Sequence, residues 1–160
     1  FSPEQKALYE LVLSAQLVAI AQVKPGNSWN AAHEAAVEVL VRGLLDLGLL
    51  SGDLEQLIED ESYRTFYMHR TGHWLGMDVH DVGEYRIEKE WRPLKAGMTL
   101  TVEPGLYIAP DCEEVEARWR GIGIRIEDDI VVTTDGCHVL SSKVPKTVAD
   151  IEALMSNQHG

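Results

Sequence analysis

The residues best suited to chemistry lie between positions 69 and 81, where His69, His73 and His80 supply three of the chain's six histidines. Gly72 and Gly76 interrupt the same stretch. An imidazole near neutral pH can bind a divalent metal or move a proton. His69 and His73, spaced i, i+4, would share one face of a helix, as in the H-E-x-x-H zinc motif. The glutamate of that motif is absent, and each glycine costs a helix about 1 kcal/mol relative to alanine. The pattern predicts a glycine-kinked loop or short extended segment whose backbone can approach a ligand closely. The alternative is three unrelated histidines satisfied by backbone carbonyls.

Two glutamates extend the set. Residues 99–103 alternate, with Leu100 and Val102 on one face and Thr99, Thr101 and Glu103 on the other. In residues 122–127, Ile122, Ile124 and Ile126 oppose Gly123, Arg125 and Glu127. The run goes on through Asp128 and Asp129 to Val132, which predicts one long, central strand. A carboxylate there is costly to bury unless it is paired or bound to a cation; an Arg125–Glu127 pair at a rim would also serve. One imidazole with several carboxylates suits Mn²⁺, Co²⁺ or Zn²⁺. Two such ions about 3.5–4 Å apart can share a hydroxide nucleophile and polarise a carbonyl. His69 and His80 would then be free to contact substrate.

These residues need a scaffold, and the sequence outlines one. Ser2 and Pro3 read as an N-cap and first helical position. Leu8, Leu11, Val12, Ala15, Val18 and Ala19 then carry a helix to about Val23. After the break at Pro25 and Gly26, Asn27 or Ser28 is expected to cap a second helix ending near Gly48. A short acidic helix follows over about 54–59, begun by Asp53. Residues 84–95 read as a polar connection, and Lys95 to Met98 as a turn into the strand at 99–103. Pro104 and Gly105 end that strand, and Leu106, Tyr107 and Ile108 are expected to return from it. Residues 111–116 form an acidic loop. A turn at Thr134, Asp135 and Gly136 with a strand around Val139 closes a hairpin, and a last helix covers about 148–155.

Composition narrows the class. The 160 residues are enough for one domain with a real core. No apolar run approaches the ~20 residues of a membrane span, and no basic-then-apolar leader opens the chain. The net charge of −12, from 26 acidic and 14 basic residues, repels phosphate backbones and argues against nucleic acid as a partner. Cys112 and Cys137 lack metal-site or scaffold spacing and are expected to be free thiols in a reducing cytoplasm, with a single disulfide as the alternative. The chain starts at Phe1, without an initiator methionine, so a processed or excised piece is expected.

Residues 69–81 resemble the signature of the pita-bread metallopeptidases, the family of methionine aminopeptidases and Xaa-Pro aminopeptidases (aminopeptidase P). The segments 101–107 (Thr-Val-Glu-Pro-Gly-Leu-Tyr) and 121–128 (Gly-Ile-Gly-Ile-Arg-Ile-Glu-Asp) resemble its two glutamate motifs. The versions here are closest to bacterial aminopeptidase P, including His73-Trp74-Leu75-Gly76 before the third histidine. The resemblance implies an α/β (α+β) pita-bread fold, a mostly antiparallel curved sheet covered by helices. It also implies that residues 1–160 are the C-terminal portion of a catalytic domain incomplete at its N-terminus.

By the same resemblance, His73 and Glu103 would ligate one divalent metal and Glu127 would bridge two, with Mn²⁺ expected and Co²⁺ or Zn²⁺ as alternatives. Glu103 would also shuttle a proton. His80 would bind substrate near its scissile carbonyl and proline, and His69 would line the pocket and help stabilise the tetrahedral intermediate. Arg125 would orient the carboxylates. The implied substrates are peptides with proline at the second position, and the expected assembly is a homo-oligomer. The family's site also uses two aspartates on a hairpin upstream of the first helix. Asp46, Asp53 and Asp60 match no such motif, so weak or single metal binding and little or no activity are expected of this chain alone. A non-catalytic peptide- or protein-binding module, or a metal-free hydrolase like creatinase, would share the fold but usually with its ligands replaced. Here His73, Glu103 and Glu127 are all retained.

Overall fold

A computed structural model of the chain describes residues 1–156. Helix α1 (Pro3–Gln22) starts with a full capping box, the Ser2 hydroxyl accepting from the Gln5 backbone while the Gln5 side chain accepts from Ser2 N–H. Helix α2 (Ala31–Asp46) packs against it. They meet closely at Gly43, where a Cβ would stand 2.2 Å from the Leu11 side chain.

The start of α2 differs from expectation. Neither Asn27 nor Ser28 caps it. The Asn27 amide donates to the Gln22 carbonyl at the end of α1, and Ser28 and Trp29 pair with the backbone near Pro93 and Arg92. Asn30 occupies the cap position without a capping bond, because its side chain accepts from Arg70 and donates to Glu34. Helix α3 (Leu54–Glu59) does begin as expected, with the Asp53 carboxylate accepting from two backbone amides.

The polar connection at 84–95 contains a small hairpin, β1 (Arg86–Ile87) with β2 (Glu90–Trp91). Glu88 turns it at φ 56°, and the Arg86 guanidinium lies 4.0 Å from the centre of the Trp91 ring. No glycine marks the turn, so the alternation-and-glycine rule does not find it.

Strands β3 (Thr99–Val102), β6 (Asp128–Val132) and β7 (Cys137–Val139) form one antiparallel sheet with β6 in the centre. Strands β4 (Gly105–Tyr107) and β5 (Gly123–Arg125) form a second antiparallel pair. Two expectations are corrected here. The segment after Pro104 does not return along β3 but pairs with β5. The run 122–132 is not one strand, because it breaks at Ile126 and Glu127 between the two sheets. The chain changes sheet at Glu103–Pro104 and again at Ile126–Glu127, and these breaks face each other: Val102 pairs with Asp128 and Gly105 with Arg125. Proline offers no amide to a ladder, and the Pro104 carbonyl instead accepts from Ile126 N–H.

Leu100, Val102 and Ile130 join Leu8, Val12 and Leu40 in the core between sheet and helices. Cys112 and Cys137 are free thiols, and helix α4 (Val148–Ser156) ends the described chain. Among the described residues no helix is long and apolar enough to cross a membrane.

A buried polar knot ties these layers together. The Asp128 carboxylate accepts from Gln16 Nε2 of α1 (3.0 Å) and from the Ser141 hydroxyl (2.5 Å), and pairs with Lys146 at 2.9 Å. Removing one partner of a buried ion pair leaves an uncompensated charge. Lys146→Met should therefore lower stability by about 3 kcal/mol in chemical denaturation, and Lys146→Arg by clearly less.

Candidate metal centre

The glycine-rich stretch forms an extra extended segment along β3. Leu75 N–H donates to the Thr99 carbonyl, Thr101 N–H to the His73 carbonyl, and Glu103 N–H to the Thr71 carbonyl at 2.7 Å. Gly72 makes this approach possible, since a Cβ there would lie 2.0 Å from the Thr101 carbonyl oxygen. The expected loop with close backbone approach is thus present, and what it approaches is β3.

Pairing His73 with Thr101 puts the imidazole on the face that carries the Thr101 and Glu103 side chains. Glu127 reaches the same place from the break between β5 and β6. One ligand atom each from His73, Glu103 and Glu127 lies within 4.8 Å of the others. His73 Nδ1–H donates to the Trp74 carbonyl at 2.9 Å, which leaves Nε2 facing Glu103 Oε1 at 3.4 Å. Fixing one ring nitrogen through a carbonyl so that the other is aimed at a site is the usual support for a metal-binding histidine. Glu103 is buried and also accepts from the Thr101 hydroxyl at 3.2 Å, and Thr101 in turn accepts from His73 N–H.

The electrostatics call for a cation. Partial burial, then the neighbouring Glu103 and Asp129 carboxylates, push the Glu127 carboxyl above its usual range, against the pull of His73 and Arg125. Arg125 offers Nη1 to Glu103 at 3.6 Å, one guanidinium against two carboxylates. An imidazole lone pair and two carboxylates form a donor set that fits a divalent ion such as Mn²⁺, Co²⁺ or Zn²⁺.

The remaining residues of interest surround this cluster. His80 is exposed and its ring lies 4.2 Å from that of His73. His69 is held by a directed chain in which Arg125 Nε donates to the Tyr107 hydroxyl (2.7 Å), Tyr107 can donate to His69 Nε2 (2.8 Å), and His69 Nδ1–H donates to the Arg70 carbonyl (2.8 Å). Tyr107 had no place in the sequence-based site, although it stands inside the first glutamate motif. Asp53 and Asp60 are engaged elsewhere, as the cap of α3 and as the acceptor of Gln56. A cleft of about 590 Å³ walled by Trp29, Tyr85 and Trp91 lies beside Arg70 and Gly72 and includes none of the three ligands.

Comparison with known proteins decides the family. The model of metallopeptidase family M24 matches residues 1–134. The chain belongs to that family. Among curated M24 relatives, the Xaa-Pro aminopeptidase of Haemophilus influenzae is 51% identical over 98% of this chain, and that of Escherichia coli 48% identical over 97%. Among solved structures, the Pseudomonas aeruginosa aminopeptidase PepP superposes with a TM-score of 0.97 at 64% identity over 98% of the chain. The E. coli aminopeptidase P solved with the inhibitor Pro-Leu gives 0.93 at 47%. The mixed α/β architecture with antiparallel sheets is therefore the pita-bread fold of this family. The chain spans about a third of the relatives' length, 36% and 35% for the first two.

The raised Glu127 carboxyl gives a measurable consequence. Its ionised form costs the metal-free protein stability at neutral pH, so Glu127→Gln should raise the melting temperature at pH 7. The gain should vanish as pH falls through the carboxylate range, where Glu127 becomes neutral as well. The same variant should lose the stabilisation that Mn²⁺ confers on the wild type. Thermal melts across pH, with and without Mn²⁺, check both.

Proposed function

We propose that the chain is part of a metal-dependent Xaa-Pro aminopeptidase, acting on peptides with proline at the second position. The observation that carries this reading is the convergence of His73, Glu103 and Glu127, with the His73 imidazole already fixed through Nδ1. The named activity of the M24 relatives supports the substrate class. His73 and Glu103 would hold one divalent ion and Glu127 would bridge two, Mn²⁺ being the first candidate. When bound, such ions supply a nucleophile near neutral pH and polarise the scissile carbonyl.

The protein groups have separate tasks. Glu103 would accept and return a proton, a role supported by its position beside His73 and the Thr101 hydroxyl. His80, exposed beside His73, is free to contact the peptide around its scissile carbonyl and proline. Tyr107 and Arg125 fix the tautomer and angle of His69, which would line the pocket in which the tetrahedral intermediate forms. Arg125 also balances Glu103. On this reading residues 1–160 form the C-terminal part of the catalytic domain, and two aspartates from outside it complete the site. The chain alone would then bind metal weakly and turn over little peptide.

Calorimetric titration of Mn²⁺ at neutral pH tests the site. The chain should bind Mn²⁺, and His73→Ala should weaken binding by at least about tenfold, the loss typical of even outer-sphere partners. In the full-length protein, Glu103→Gln should abolish release of the residue before proline. Unchanged Mn²⁺ binding in His73→Ala would instead favour a non-catalytic peptide-binding module.

A further inference from the structure

Behind the ligand-bearing segment lies a polar group that the proposed chemistry does not use. His33, on the α2 face turned to the sheet, is only 9% exposed, Thr71 3% and Tyr67 0%. His33 Nδ1 stands 2.8 Å from the Thr71 hydroxyl, and the Tyr67 hydroxyl stands 2.6 Å from the same oxygen. One direction satisfies both hydroxyls: Tyr67 donates to Thr71, and Thr71 donates to His33 Nδ1. With the direction reversed, the buried Tyr67 hydroxyl would donate to nothing among the described residues, and buried unmade donors are costly. Burial, reinforced by the positive charge of Arg70, pulls the His33 imidazole down to about 4, which keeps it a neutral acceptor at physiological pH.

The far ends of this relay reach the candidate metal centre. The carbonyl of Thr71 accepts from Glu103 N–H, and His73 follows two residues later on the same segment. The Tyr67 ring stands edge-on to His69, with centroids 5.0 Å apart. An apolar side chain would fill the space between α2 and the sheet more simply. A histidine here supplies an acceptor at one fixed point.

We infer that His33 is a positioning residue: through the Thr71 hydroxyl it fixes the register of residues 71–75 on β3, and thereby the aim of His73 at Glu103. His33 makes no hydrogen bond to any of the three proposed ligands, and its effect on metal binding rests on the proposed function above, whereas its effect on the segment does not. Two readouts keep these apart. Amide hydrogen exchange reports the segment directly, and the visible absorption of bound Co²⁺ reports ligand geometry and affinity.

In His33→Leu, exchange at the Thr101 and Glu103 amides should accelerate by about tenfold or more while the α1 amides keep their protection, the mark of local opening. Affinity for Co²⁺ should fall by about tenfold, with a changed spectrum, as for other outer partners of metal ligands. His33→Asn, which can place its amide oxygen where Nδ1 stood, should restore both. Thr71→Val keeps the shape, loses the hydroxyl and should reproduce the His33→Leu result; it decides the matter if His33→Leu does not fold. Wild-type exchange in Thr71→Val, or a folded His33→Leu indistinguishable from wild type, overturns the inference. If the wild type takes up no Co²⁺, the metal reading falls and the exchange data alone settle the role of His33.

Discussion

Two carboxylates held face to face at the joint between two sheets are the constraint from which the rest of this structure follows. Glu103 ends the run that begins with β3, and Glu127 sits where β5 gives way to β6. The register of each sheet brings these breaks opposite each other. Without a cation the arrangement is unfavourable, since burial first and then the facing Glu103 carboxylate push the Glu127 carboxyl above its usual range. The protein keeps it by fixing everything around it. Pro104 ends one ladder, Asp128 is locked to α1 and to Lys146 directly beside Glu127, and Thr101 holds one Glu103 oxygen. A site that stores like charge at the cost of stability is expected where function requires it.

The histidine segment completes the joint, and it can do so because it lacks side chains where β3 needs room. Gly72 lets the backbone reach the Thr101 carbonyl, and the antiparallel pairing then places His73 beside Glu103. The two other histidines diverge in environment. His69 is tied into a hydrogen-bonded chain with Tyr107 and Arg125, while His80 stays exposed against the His73 ring. One imidazole is thus aimed at the two carboxylates, one is held in a hydrogen-bonded chain and one is left exposed.

Much of this was legible in the sequence where the signal is local. The Ser2–Pro3 cap, the alternation of residues 99–103, the Asp53 start of α3 and the glycine-spaced histidines each carry their own physical cause. What was not legible depends on tertiary contacts. The isoleucine alternation through 122–132 looks continuous, yet the run divides between two sheets, and nothing in the side-chain pattern marks the division. Asn27 has the chemistry of an N-cap but satisfies the end of α1 instead. The hairpin at 86–91 turns at Glu88 without glycine, held by Arg86 on Trp91. His33 sits among the apolar positions of α2 and gives no sign of function until Thr71, 38 residues later, is brought to its ring. Tyr107 was within reach, standing in a motif whose glutamate had already been singled out.

The most direct test of the central claim is a crystal of the protein grown or soaked with Mn²⁺ and examined by anomalous diffraction. The account predicts an anomalous peak enclosed by His73 Nε2 and the Glu103 and Glu127 carboxylates, with His73 Nδ1 still donating to the Trp74 carbonyl. A Mn²⁺-soaked crystal with no peak between these three side chains, and with the Glu103 and Glu127 carboxylates turned apart, would contradict it.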